Sequence, residues 1–257
     1  MRLTPLDWHR RFTQQAQWTR DTRQHLFNRA GVFDSERVLD VGCGTGALTA
    51  QLATTSIQHV VGIDINSEFL LLAASNISRG DLITADGHSL PIKRGIFDCS
   101  FCHYLLMWVA DPLSVIQEMK RVTKPGGTVL VLAEPDYGGR IDHPQELQVL
   151  NQLQTNALIK QGADPLFGRK IKGLFHQAGL IEIEVGVIGA QWDDQPSQRE
   201  LSSEWEIILH DMDTLEKSAS EYIQNSKALK EIDLNAWAKG ERVLYVPTFN
   251  AFGRVPE

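Results

Sequence analysis

One ten-residue run constrains the fold of this chain more than any other feature: Val38-Leu39-Asp40-Val41-Gly42-Cys43-Gly44-Thr45-Gly46-Ala47. An apolar, β-prone segment ends next to a carboxylate, three glycines follow at alternate positions, and a helix begins. Glycine is required where a chain turns sharply and a ligand must approach backbone without a Cβ in the way. In an open α/β sheet that turn lies outside the carboxyl ends of the strands. There the free N–H groups of a helix N-terminus favour an anionic or carboxylate-bearing group.

The surrounding pattern agrees with such a sheet. Short β-branched runs at 37–41, 60–64, 82–85, 97–102 and 128–133 alternate with helix-like segments, the signature of a parallel sheet with helices on both faces. Asp111 is placed to cap a helix opening at Pro112, with Val115, Ile116, Met119 and Val122 on one face and Pro125-Gly126-Gly127 ending it. Residues 1–33 read as amphipathic helix stopped at Gly31. Beyond the fifth strand a turn-rich loop, 134–139, precedes helices at 144–161 and 169–178, a strand at 181–188, a helical stretch at 197–239 and a last strand at 242–249. The division expected is a helical cap at 1–36, a cofactor-binding α/β core at 37–190, a helical insert or lid at 191–241, and the last strand and tail of the core at 242–257.

Composition removes other classes. The 257 residues carry 25 Lys+Arg against 32 Asp+Glu, and with no basic block to concentrate positive potential a nucleic-acid partner is not expected. No apolar run approaches the ~20 residues of a membrane helix, and the first residues lack a signal-peptide core, so no membrane partner and a cytoplasmic location are expected. Cys99 and Cys102 fall in a strand-like run, where positions three apart point to opposite faces; buried thiols rather than a metal site are expected.

Taken alone, the glycine run also fits the G-x-G-x-x-G/A nicotinamide fingerprint, with Asp64 about 20 residues further on. Its neighbours argue otherwise. Asp40 would repel a pyrophosphate but suits the ammonium of an amino-acid tail, while Asp64 and Asp86 follow the next two strands. Three acids at successive strand ends can address an amino group, a ribose diol and an adenine amine.

These segments, together with Leu90-Pro91-Ile92, Phe97-Asp98 and the run from Val122 to Gly127, resemble the class I S-adenosylmethionine-dependent methyltransferases, in the small-molecule branch called type 11. The resemblance spans about Arg37 to Ala133. It implies a doubly wound, mostly parallel seven-stranded sheet with an antiparallel last strand, here joined by a helical cap, and S-adenosylmethionine as cofactor. It further implies cofactor contacts at Asp40, Gly42, Cys43, Gly44, Gly46, Asp64, Ile65, Asp86, Gly87 and His103. His103 and Tyr104 would face the methyl group, His103 as a candidate general base and Tyr104 as an aromatic wall. Trp108, Glu134, Tyr137 and Arg140, with Trp192 and Trp205, are candidate walls of the acceptor pocket. The expected activity is methyl transfer to a small organic molecule, at O or N rather than C. The competing readings are a non-catalytic cofactor-binding protein and a nicotinamide-dependent oxidoreductase.

Overall fold

Thr4 starts the first helix by a local exchange. Its hydroxyl accepts the Asp7 N–H (3.3 Å) and the Asp7 carboxylate accepts the Thr4 N–H (2.8 Å), a reciprocal cap. Helix α1 (Pro5–Trp18) is followed by α2 (Arg20–Ala30), which ends at Gly31 in the left-handed conformation (φ 66°), as expected of that glycine. The computed structural model describes residues 3–189, 196–215 and 220–257, and these divide into two compact units.

The larger unit, 4–134, 167–188 and 248–257, contains α1, α2 and the α/β sheet. Its strands are β1 (Arg37–Val41), β2 (His59–Asp64), β3 (Asp81–Thr84), β4 (Phe97–Cys102), β5 (Thr123–Pro135), β7 (Ile181–Ile188) and β9 (Thr248–Arg254), in spatial order β3-β2-β1-β4-β5-β9-β7. The first five run parallel and β9 pairs antiparallel with β7. Helices α3 (Ala47–Ala53), α4 (Ser67–Asn76), α5 (Pro112–Val122) and α7 (Ile171–Gln177) complete the unit. Asp111 caps α5 through Ser114 N–H (3.2 Å), and Val115, Ile116, Met119 and Val122 are fully buried. Because β1 continues to β2 on one side and pairs with β4 on the other, the strand order reverses at β1/β4, the position at whose carboxyl ends open α/β sheets bind their ligands.

The smaller unit comprises residue 3 of the described N-terminus with 135–166, 189 and 196–247. Strand β6 (Ile141–His143) pairs antiparallel with β8 (Val243–Tyr245), and α6 (Gln148–Lys160), α8 (Gln198–Thr214) and α9 (Ser220–Lys239) accompany them. Leu147, Leu150, Leu153, Trp205, Ile208, Met212 and Leu229 form its core.

One expectation changes. The strand expected at 242–249 is two strands: 243–245 joins the small ribbon and 248–254 is the antiparallel strand of the main sheet. Pro247, which has no N–H for a ladder, sits between them. The compact units cut the chain differently from its sequence segments: the N-terminal helices group with the α/β sheet, and 135–166 groups with the later helices.

Candidate functional site

The loop after β1 takes its shape from its glycines. Gly42, Gly44 and Gly46 have φ of 73°, 54° and 78°, a region that side chains rarely enter. The N–H groups of Gly42 and Cys43 both donate to Ile63 O (2.7 and 2.9 Å), fastening the loop to β2. Space is tight as well: a Cβ on Gly42 would lie 2.7 Å from Leu105 Cδ1, and one on Gly44 would lie 3.0 Å from the Phe12 ring. Cys43 turns its thiol toward β2, where Gly62 makes room, since a Cβ there would be 2.9 Å from Sγ. All three cysteines are buried, and burial raises each thiol's pKa.

Asp64, at the end of β2, accepts the Gly44 N–H (2.8 Å) on one oxygen and the Asn66 N–H (2.8 Å) on the other. The cap of α4 is Asn66, whose side chain accepts the N–H groups of Glu68 and Phe69, so Asp64 is not spent as the helix cap. Beside it Ile65 is 70% exposed, an apolar side chain left uncovered at a strand end. Asp86 holds His88 through its backbone N–H (2.9 Å) and ring Nδ1 (2.6 Å), and these bonds lower its pKa. Gly87 adjoins it, with Val41 and Val115 at contact distance from where its Cβ would be.

Asp40 is 2% exposed and accepts a hydrogen bond from Thr49 on α3 (2.6 Å). Burial pushes its carboxyl up to about 7, against the opposing Thr49 bond, and the nearby Asp64 charge adds to the rise. A cationic ligand group would favour its ionised form.

The segment after β4 departs most from regular geometry. Tyr104 adopts φ 53°, donates its N–H to Ala133 O (2.9 Å), and sets its ring edge-on to His103 at 4.6 Å. A non-glycine residue in this region is strained and persists only when its surroundings fix it. His103 Nε2 lies 2.9 Å from Thr19 Oγ1. Removal from water, with Arg23 adding, drives the imidazole down to about 3. At neutral pH this ring is uncharged, so a general-base role for His103 would start from the free imidazole.

Glu134 is not an open pocket wall. It is 0% exposed and both oxygens accept backbone N–H groups of the loop after β4. Trp108, in the same unit, is 44% exposed. Tyr137 and Arg140 fall in the smaller unit, Tyr137 donating its N–H to Pro165 O (2.8 Å). Arg140 is consumed internally, with Nε 2.6 Å from Asp142 and Nη1 on Gln154, and its side chain is 3% exposed. Trp205 is a core residue donating to Asp233 (2.8 Å), and Trp192 lies outside the described residues.

Four residues of the N-terminal helices escaped the sequence reading as site residues. His9 Nδ1 meets Thr45 Oγ1 (2.8 Å), Phe12 covers Gly44, Thr19 meets His103, and Arg23 reaches Gln51 on α3 (3.0 Å). Nothing in local spacing ties a helix at 5–30 to a loop at 42–46. Among the described residues no cluster of three metal-binding side chains occurs, and no helix is long and apolar enough to cross a membrane.

Three left-handed glycines, the acids Asp40 and Asp64 and the uncovered Ile65 thus lie at the carboxyl ends of β1 and β2, with Asp86 just beyond β3. Residues 39–131 match the family described as a methyltransferase domain. A demethylmenaquinone methyltransferase from Oceanobacillus iheyensis is 30% identical over 68% of this chain and 80% of its own. The chain spans less of other curated relatives, 43% of a 37.1 kDa protein in transposon TN4556 of Streptomyces fradiae, which is 33% identical over 56% of this chain. Among solved structures, phosphoethanolamine N-methyltransferase 2 of Haemonchus contortus, bound to phosphomonomethylethanolamine and S-adenosylhomocysteine, shares the fold at a TM-score of 0.54. Its identity is 21%, over 86% of this chain and 49% of that one.

Proposed function

The chain belongs to the class I S-adenosylmethionine-dependent methyltransferases, and from that premise we propose that it transfers a methyl group to a small organic acceptor, at oxygen or nitrogen, by in-line displacement. The observation that carries this reading is the set of three left-handed glycines tied to Asp64 at the point where the strand order reverses. When bound, the cofactor supplies a methyl group already activated by a sulfonium charge. Much of the protein's task is then alignment and exclusion of water, effects worth up to ~7–11 kcal/mol for well-oriented reactants.

In this reading Gly42, Gly44, Gly46 and the Cys43 backbone cradle the amino-acid part, with Asp40 facing its ammonium. Asp64 holds the ribose hydroxyls, Ile65 and Gly87 border the adenine, and Asp86 bonds its amine. His103, uncharged at neutral pH, serves as a hydrogen-bonding group for the acceptor, and Tyr104 walls the methyl end. The acidic balance of the chain and the lack of an Asn/Asp-Pro-Pro-aromatic run after β4 support a small metabolite over nucleic acid or a glutamine side chain. A cytoplasmic location accords with that acceptor class.

Calorimetric titration with S-adenosylhomocysteine beside NADH, on the wild type and Asp64→Ala, tests the cofactor assignment. Micromolar binding of the homocysteine product alone, weakened tenfold or more by the substitution (about 1.4 kcal/mol), is expected. Binding of NADH alone would sink it. His103→Ala should then lower turnover on an acceptor panel while sparing cofactor affinity, and the wild-type rate should lack a proton-uptake step near pH 6.5.

A further inference from the structure

We propose that Glu134 is a positioning residue: its carboxyl group clamps the backbone of the loop after β4, and so sets Tyr104 beside His103 and seats Leu105 against the cofactor-binding glycines. What that loop serves rests on the methyltransferase reading; the clamp itself rests on geometry.

The contacts are specific. Glu134 Oε1 accepts the N–H groups of Leu105 (2.8 Å) and Leu106 (2.7 Å), and Oε2 accepts that of Met107 (3.2 Å). The preceding residue supplies Ala133 O to Tyr104 N–H (2.9 Å). Two consecutive positions at the end of β5 therefore engage four consecutive N–H groups, starting at the strained Tyr104. The end of β5 is itself fixed, because Gly168 packs under it: a Cβ on Gly168 would lie 2.9 Å from Glu134 O and 2.5 Å from Phe249 Cδ2. At the other end of the loop, Leu105 packs against Gly42, where a Cβ would meet Cδ1 at 2.7 Å. With three backbone N–H groups on its two oxygens and no exposure to solvent, the carboxyl group is turned to the loop rather than to an acceptor, which separates this role from that of a general base.

Electrostatics bear on the test. Burial raises the Glu134 carboxyl to about 7, with the three loop N–H groups opposing, and no charged side chain contributes. Cys102 on β4 is the titratable neighbour, and its thiol stays protonated because burial and the Glu134 charge both raise it. In an opened, hydrated loop the carboxyl would return toward its ordinary value. With the closed-state pKa above the open-state one, closure is supported fully below the ordinary value and loses that support as pH rises through about 7.

The experiment is amide hydrogen exchange on the full chain, wild type against Glu134→Ala and Glu134→Gln, with S-adenosylhomocysteine titrations alongside. Glu134→Ala should lower protection at Leu105, Leu106 and Met107 at least tenfold and weaken binding about fivefold, with β2 amides unchanged. Glu134→Gln keeps a carbonyl acceptor, so it should restore protection at Leu105 and Leu106 but not at Met107, and bring binding within about twofold of wild type. Wild-type protection of all three amides in Glu134→Ala would overturn the proposal, as would equal losses in both variants. If Glu134→Ala does not fold, Glu134→Gln carries the test, and wild-type protection at Met107 in that variant would overturn the clamp; in the wild type, protection at these amides, corrected for intrinsic exchange, should fall as pH rises toward 7. Failure of the wild type to bind S-adenosylhomocysteine would instead remove the methyltransferase reading and leave the exchange result standing.

Discussion

The two units bury charge in opposite ways. In the smaller unit the buried ions answer one another: Asp142 lies 2.6 Å from Arg140 and 2.8 Å from Arg242, and Arg242 lies 2.6 Å from Asp233, which also accepts Trp205 Nε1–H. Gln154 and Gln161 extend the network to Asp211. In the α/β unit, Asp40 and Glu134 are as deeply buried but meet no cation at ion-pair distance among the described residues, and both carboxyls rise to about 7. Removing one member of a buried ion pair leaves an uncompensated charge, whereas a buried acid without a cation already carries a raised pKa and can be ionised by a cationic ligand group. On that contrast the smaller unit's network reads as scaffold, and the proposal that Asp40 faces a ligand ammonium can be tested against it.

The largest expected effect would break the scaffold side of this comparison. Arg242→Ala leaves Asp142 short of one partner and Asp233 without a cation, and removing one member of a buried pair costs about 3–5 kcal/mol. Urea unfolding of the full chain should show that loss, with S-adenosylhomocysteine affinity unchanged below the transition. A loss under 1 kcal/mol would mean that water already reaches these groups.

This contrast also explains what the sequence could and could not reveal. The strands from 37 to 133, the cap at Asp111 and the stop at Gly31 were legible because local patterning and glycine chemistry determine them. The acids at 40, 64 and 86 were legible as positions at strand ends. Their partners were not: Thr49 on Asp40, Thr19 on His103 and three loop N–H groups on Glu134 arise from packing between segments far apart or from one turn's shape. Glu134 and Arg140 therefore read as candidate pocket walls, although each is engaged within its own unit. The error at 242–249 has the same character, since a β-prone run carries no mark of which sheet it joins until Pro247 is given weight.

A smaller effect is expected at the cofactor side. Gly42→Ala forces a left-handed backbone at roughly 1–2 kcal/mol and pushes a Cβ into Leu105, and such overpacking costs ~1–3 kcal/mol. Part of the strain can be relieved by moving Leu105, so stability should fall less than for Arg242→Ala, while S-adenosylhomocysteine binding should weaken at least tenfold. Equal thermal shifts with and without the ligand, showing undiminished affinity, would remove the glycine loop from the site.

The smallest effect concerns Asp40 and sharpens the comparison most. Its folded-state pKa of about 7 exceeds the ordinary carboxylate value, so its contribution to stability is present at low pH and is lost as pH rises through about 7. A ligand ammonium shifts the balance, because it favours the ionised carboxylate. Binding then releases a proton below that pKa, and S-adenosylhomocysteine affinity should rise with pH toward 7, by at most about tenfold per unit, and level off above it. Asp40→Asn cannot ionise; it should bind more weakly at pH 8 and lose this part of the slope, leaving any part due to Glu134. Titrations in two buffers of different ionisation heat count the protons directly. If wild type and Asp40→Asn release the same number at pH 6.5, Asp40 is buried structure like the acids of the smaller unit, and the ammonium is held elsewhere.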